Sequence, residues 1–217
     1  MENKLIEIYL FVDPLGKKCN NARKVINKFR KEHAKKIKLR VIPIVNAKKV
    51  LGYARKNKDY SMNSFVDKNN KLSTNTYKAC LAFHASTMQG KNVGYKFLAE
   101  LQSTVVENKE PFSEDLVYKI AEDLDRLDLT MFSEDYKSDL ARRIYQRNLK
   151  LAAEMNIKKT PSCVIIKNGS ESEAIRVDHE IEDELLSTIC GLDELALVNE
   201  KSKNKIIDNI LNFTPLT

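Results

Sequence analysis

The sequence predicts an α/β protein, a mixed sheet of β-α-β … β-β-α order interrupted by a block of helices. Three observations carry this. Two β-rich segments flank one amphipathic helix in the first 45 residues, helical periodicity dominates from residue 75 to residue 155, and strand patterning returns after Asn156.

The run Leu5-Ile6-Glu7-Ile8-Tyr9-Leu10-Phe11-Val12 is almost continuously apolar and rich in β-formers, the pattern of a strand buried on both faces. Asp13-Pro14-Leu15-Gly16 breaks it. Cys19, Ala22, Val25, Ile26 and Phe29 then share one helical face, with Lys24, Lys28 and Lys31 on the other. Ile37–Ile42 alternates and reads as a second strand ended by Pro43. One crossover helix joins the two strands, so a parallel pair is expected. Residues 46–75 are polar and read as a loop, with at most a short helix near Val50–Ala54.

Four helices are expected next. They run from 75 to 89, from 93 to 106, from a Ser113 N-cap with Glu114 and Asp115 in the first turn, and from a Ser133 N-cap over Glu134–Met155. The last is expected to turn Tyr136, Leu140, Ile144, Leu151 and Met155 to one side. Thr160-Pro161-Ser162 then leads into the strand Cys163–Ile166. Asn168-Gly169 signals a hairpin to a returning strand at Glu173–Val177. Glu180–Ile189 reads as a helix stopped by Gly191. The expected organisation is a sheet domain from 1–45 and 156–192, a loop plus helical insertion domain over 46–155, and a C-terminal helical tail over 193–217.

Charge is distributed unevenly. The chain carries 37 Lys+Arg against 30 Asp+Glu, a net charge of +7. Residues 1–60 hold 17 basic and 5 acidic residues, a net of +12, and the other 157 hold 20 and 25, a net of −5. A basic segment of this size first suggests nucleic acid, but stacking aromatics are wanted for that. Aromatics are 7% with no Trp, and the nearby Tyr9, Phe11 and Phe29 fall on apolar faces. The reading is therefore no nucleic acid and, at most, an acidic protein partner. The longest apolar run is far short of the ~20 residues a membrane span needs, so no membrane is expected. The start also lacks the basic region and cleavage site of a signal peptide, which makes the expected compartment cytoplasmic.

Four cysteines are ordinary usage. No Cys-x-x-Cys occurs, and His33, His84 and His179 are dispersed, so no metal site and no cofactor are expected. Cys80 and Cys190 fit buried helical positions. Cys19 reads first as a small buried apolar residue and second as a lone thiol able to form mixed disulfides or sense oxidation. A Cys19–Cys163 pairing is a further alternative.

Phe11-Val12-Asp13-Pro14-Leu15 running into Gly16-Lys17-Lys18-Cys19 at a helix start, Thr160-Pro161 opening a strand after a long helix, and the segment Ala82–Gln102 together resemble the DsbA-like branch of the thioredoxin superfamily. Leu151–Ile157 resembles that branch's approach to its cis-proline. The resemblance spans about residues 5–191 and implies a thioredoxin fold with a helical insertion domain. It also implies a Cys-x-x-Cys where this chain has Gly16 and Cys19. In the working enzymes the first cysteine is the nucleophile, its thiolate favoured by the helix N-terminus. Glycine has no sulfur, so two-cysteine exchange is not available at this position. A cis bond at Pro161 would leave the Thr160 backbone open to an extended peptide. The expected peptide-binding residues are thus Leu15, Gly16, Lys17, Lys18, Thr160 and Pro161.

Cytosolic members with a degraded site resemble the Spx adaptor group, which binds the transcription regulator Spx and promotes its degradation by the ClpXP protease. The resemblance therefore implies a noncatalytic binding protein with a transcription regulator and a protease complex as partners. The alternative is a thiol-disulfide oxidoreductase or isomerase with Cys19 as its catalytic residue.

Overall fold

A computed structural model describes residues 5–33, 37–45, 62–167, 170–178, 180–190 and 211–212. The elements are β1 (Ile6–Val12), α1 (Lys17–Glu32), β2 (Ile37–Pro43), α2 (Met62–Met88), α3 (Lys91–Gln102), α4 (Glu114–Glu122), α5 (Leu129–Lys137), α6 (Asp139–Glu154), β3 (Ser162–Lys167), β4 (Ser170–Asp178), α7 (Asp183–Cys190) and β5 (Leu211–Asn212). A π-helical turn, Ser103–Glu107, continues α3. The expected helix near Val50–Ala54, the Asn168-Gly169 turn, His179 and most of the 193–217 tail lie outside the described residues. The chain divides into a sheet unit (Met1–Val12, Asn21–Ile42, Lys159–Thr217) and a helical unit (Asp13–Asn20, Pro43–Lys158).

In the sheet unit the strand order is β2-β1-β3-β4-β5. β1 pairs antiparallel with β3, placing Ile8 opposite Ile165 and Leu10 opposite Cys163. β3 pairs antiparallel with β4, Lys167 opposite Ser170. Ile6, Ile8, Leu10, Phe11 and Val12 are buried, as the continuous apolar run of β1 requires. The tail was expected to be helical, yet Leu211–Asn212 is a strand beside Ile175 and Arg176 of β4. The backbone groups on the outer side of β4 need partners, and a passing extended segment supplies them.

The helical unit has its own core, in which Phe97, Leu101, Val117 and Phe132 are fully buried with Tyr136 and Tyr145 beside them. α2 begins at Met62, inside the stretch expected to be a loop. Residues 62–88 contain neither Gly nor Pro, so a helix nucleated by the apolar second half extends into its polar first half. The expected Glu134–Met155 helix is two helices. Ser138 is extended at φ −72°, ψ 156°, and its hydroxyl accepts from the Ala141 N–H to cap α6. The cap of α5 is Asp128, not Ser133. The break resets the helical phase, so Leu140 is exposed where an unbroken helix would have turned it inward. Ser113 caps α4 as expected, accepting from the Leu116 N–H at 3.1 Å.

α2 and α3 meet at a glycine. A Cβ on Gly94 would overlap the Thr87 methyl and stand 3.1 Å from the Thr87 Cα. Gly94→Ala must therefore push the two helices apart, and a loss of about 1–3 kcal/mol is expected in urea unfolding. An unchanged midpoint would show that the Thr87 side chain rotates away at little cost.

Candidate functional site

The turn before α1 is built from its own polar groups. Asp13 is buried, its carbonyl accepts from the Gly16 N–H at 3.0 Å, and its carboxylate accepts from the Leu15 N–H at 3.0 Å. This is an Asx turn, the local arrangement an aspartate offers at a strand end. The Gly16 carbonyl accepts from the Asn20 N–H at 2.9 Å and so begins the helix. Among the described residues the glycine with a left-handed φ is Gly90 at 137°, so no backbone requirement of that kind places a glycine at residue 16. Lys17 and Lys18 are exposed, Leu15 is half-buried and Gly16 is buried.

Cys19 sits one turn into α1 and is 1% exposed. Its Sγ accepts from the Asp13 N–H at 3.2 Å. The thiol is thus folded under the turn, with its sulfur used to hold that turn closed. The turn belongs to the helical unit although the strand before it belongs to the sheet unit. Two contacts explain this. Leu15 packs against the helical core, and the Asn20 amide donates to Glu107 Oε1 at 2.6 Å at the end of the π turn. Neither Asn20 nor Glu107 carries a signal in the sequence, because their meeting depends on how the insertion folds.

Thr160-Pro161 is a cis peptide bond. Thr160 is buried, and the following Ser162 hydroxyl lies within hydrogen-bonding reach of two acceptors, the Lys159 carbonyl and Asp178 Oδ1, with one proton to share between them. Arg176 and Lys159 face the same carboxylate at 3.6 and 4.0 Å. Leu15, Gly16, Lys17, Lys18 and Cys19 therefore share one turn in the helical unit, while Thr160 and Pro161 share another in the sheet unit.

All four cysteines are free and buried, so the Cys19–Cys163 alternative is not the arrangement the structure adopts. Burial raises the Cys80 thiol well above its ordinary range, with the charge of Asp13 adding to it. Burial also raises Cys163, with Cys190 adding to it. Cys190 is pushed up to about 11, again chiefly by burial. These three thiols are kept protonated and poorly nucleophilic. Among the described residues no group of three or more His, Cys, Asp or Glu is arranged to hold a metal ion. None of their helices is long and apolar enough to cross a membrane.

Comparison with known proteins agrees with the fold. The thioredoxin family model matches residues 9–186. The ClpXP adapter protein SpxH of Bacillus subtilis is 30% identical over 207 residues, covering 87% of this chain and 69% of its own length. A putative protein disulfide isomerase from Nitrosomonas europaea superposes with a TM-score of 0.63 at 14% identity, covering 87% of this chain and 97% of that one. Reduced DsbA1 from Neisseria meningitidis superposes with a TM-score of 0.56 at 15% identity, covering 96% and 89%. The strand order, the helical insertion, the cis-proline and these likenesses together establish that the chain belongs to the thioredoxin family, among the relatives of SpxH.

Proposed function

We propose that this chain is a protein-binding adapter that presents a substrate, a transcription regulator in the first instance, to a ClpXP-type protease in the cytosol. The observation that carries the reading is the turn at α1, where Cys19 lies buried under the Asp13 N–H and Gly16, at the position that the DsbA-like resemblance assigns to the nucleophile, carries no sulfur. A thiol-disulfide exchanger needs an accessible thiolate at the helix start, and the turn has no sulfur there to ionise. The name of the 30%-identical relative, a ClpXP adapter protein, supports the protease. The chain spans 69% of that relative, so the parts of an adapter beyond this length enter only by the same proposal. We assign Leu15, Gly16, Lys17 and Lys18 to partner contact on the helical unit, and Thr160 and Pro161 to partner contact on the sheet unit.

Reconstituted proteolysis is the test. With purified ClpX, ClpP and the regulator Spx, degradation should accelerate when the chain is added, and Cys19→Ser should accelerate it equally. No acceleration by the wild-type chain would overturn the proposal. The chain should also fail to reduce insulin, and Gly16→Cys should restore the missing sulfur, forming a disulfide with Cys19 in oxidised glutathione with loss of two hydrogens by mass. Insulin reduction by the wild-type chain, abolished in Cys19→Ser, would instead establish single-thiol chemistry.

A further inference from the structure

The helical unit contains a cleft of about 430 Å³ between α3, the π turn and α4. That lies within the roughly 300–1,000 Å³ of ordinary ligand sites. Its apolar wall comes from α4, where Leu116 and Ile120 are buried and Leu124, one turn on, is half-buried. Its rim is acidic. Glu100 projects from α3, Glu110 from the loop after the π turn, and Asp123 and Asp125 from the turn that follows α4. Lys96 and Lys119 line the same cleft, yet among the described residues none of these four carboxylates holds a salt bridge.

Two backbone features fix the rim. Lys109, next to Glu110, and Arg126, next to Asp125, have φ of 62° and 66°, the left-handed region that L residues seldom adopt. Each residue turns the chain sharply beside a rim carboxylate. The surrounding surface has the same sign, since residues 100–139 carry 12 Asp+Glu against 4 Lys+Arg. An approaching cation is therefore attracted before it touches the cleft, and meets unpaired acceptors around an apolar wall when it arrives.

We propose that this cleft docks a short basic segment of a protein partner, with an aliphatic side chain on Leu116, Ile120 and Leu124 and arginine or lysine on the rim carboxylates. Arginine fits best, because its planar fork can take a carboxylate with two hydrogen bonds. The apolar wall separates this occupant from a simple polycation, which would gain nothing from it. The inference rests on the adapter reading, since a protein that brings two others together needs a second recognition surface. The opposite charges of the two parts of the chain give it two of different preference.

Fluorescence anisotropy with the full chain tests this, using a labelled octapeptide that carries a Leu-Leu pair between two arginines. The assay contains no protease and no regulator, so its outcome is independent of whether the chain is an adapter. Saturable binding is expected, weakening as salt rises. The double variant Glu100→Lys/Asp123→Lys should lose about tenfold in affinity. Replacing the Leu pair by serine should weaken binding as well. Both substituted positions are exposed, and an unchanged circular dichroism spectrum confirms that the variant is folded. The proposal is overturned if the folded double variant binds the peptide as tightly as the wild type. It is equally overturned if the serine peptide binds as well as the leucine peptide, or if spermidine displaces both at matched charge, because the cleft would then be a general cation-attracting surface.

Discussion

Phe132→Ala is expected to cost about 3–5 kcal/mol, the range for emptying a fully buried aromatic position. Phe132 is 0% exposed and its ring is the hub of the helical unit. It lies 5.7 Å from the Phe97 ring, 6.0 Å from Tyr118 in an edge-to-face arrangement, and 5.8 Å from Tyr136 in a stacked one. Removing it takes away its transfer energy and strips three neighbours of an aromatic partner. The three neighbouring rings come from α3, α4 and α5 itself, so no single helix can move inward to fill the space without losing contacts elsewhere. In thermal unfolding a chain of this length should lose about 2–4 °C for each kcal/mol, so a fall of roughly 10 °C is expected in the transition of the helical unit. Met131→Ala is the matched control. Met131 is the adjacent residue on α5 but is 53% exposed, and its replacement should change stability by less than about 0.5 kcal/mol. If the two variants melt together, Phe132 is not the hub that its burial and ring contacts describe.

The legible and illegible parts of this chain divide by the range of the interactions that decide them. β1, α1, β3 and the Ser113 cap are decided within a few residues, by runs of apolar side chains or by one hydroxyl and a nearby N–H. The break at Ser138 looks local too, yet Tyr136, Leu140 and Ile144 fit an uninterrupted helix by spacing alone. The hydroxyl of Ser138 decides it by donating to Asp135 and accepting from Ala141, which ends one helix and starts the next. The polar half of α2 lacks an apolar stripe to read, and β5 forms only because β4 offers it an edge.

The site divides in the same way. Gly16, Cys19 and Pro161 are visible because a family pattern gives their positions meaning. The Asn20–Glu107 bond joins residues 87 apart in sequence, and the acidic cleft is made by helices whose pairing no local pattern encodes.

Acid should expose a second buried group. His84 is 3% exposed on α2, and burial lowers its pKa from 6.5 to about 4. Its Nε2 lies 3.2 Å from the Asn148 amide nitrogen on α6. That nitrogen can only donate, so Nε2 is an acceptor and the imidazole is neutral, its proton on Nδ1. Protonating Nε2 would set two N–H groups against each other in a buried space, which points the same way as desolvation.

The sign of the linkage follows from the lowered folded pKa. Between about pH 6.5 and pH 4 the unfolded chain binds a proton at His84 that the folded chain does not, so stability falls as the pH falls through this window. The contribution is fully present above pH 6.5, and a difference of about 2.5 pH units corresponds to roughly 3 kcal/mol. Carboxylates also take up protons on the way down, so the measurement is a comparison. Wild-type and His84→Gln stabilities are followed by urea unfolding from pH 7 to pH 4, and the wild type should lose about 3 kcal/mol more than the variant. Parallel curves would mean that His84 titrates alike in both states, and then neither its burial nor the Asn148 contact could be holding it neutral.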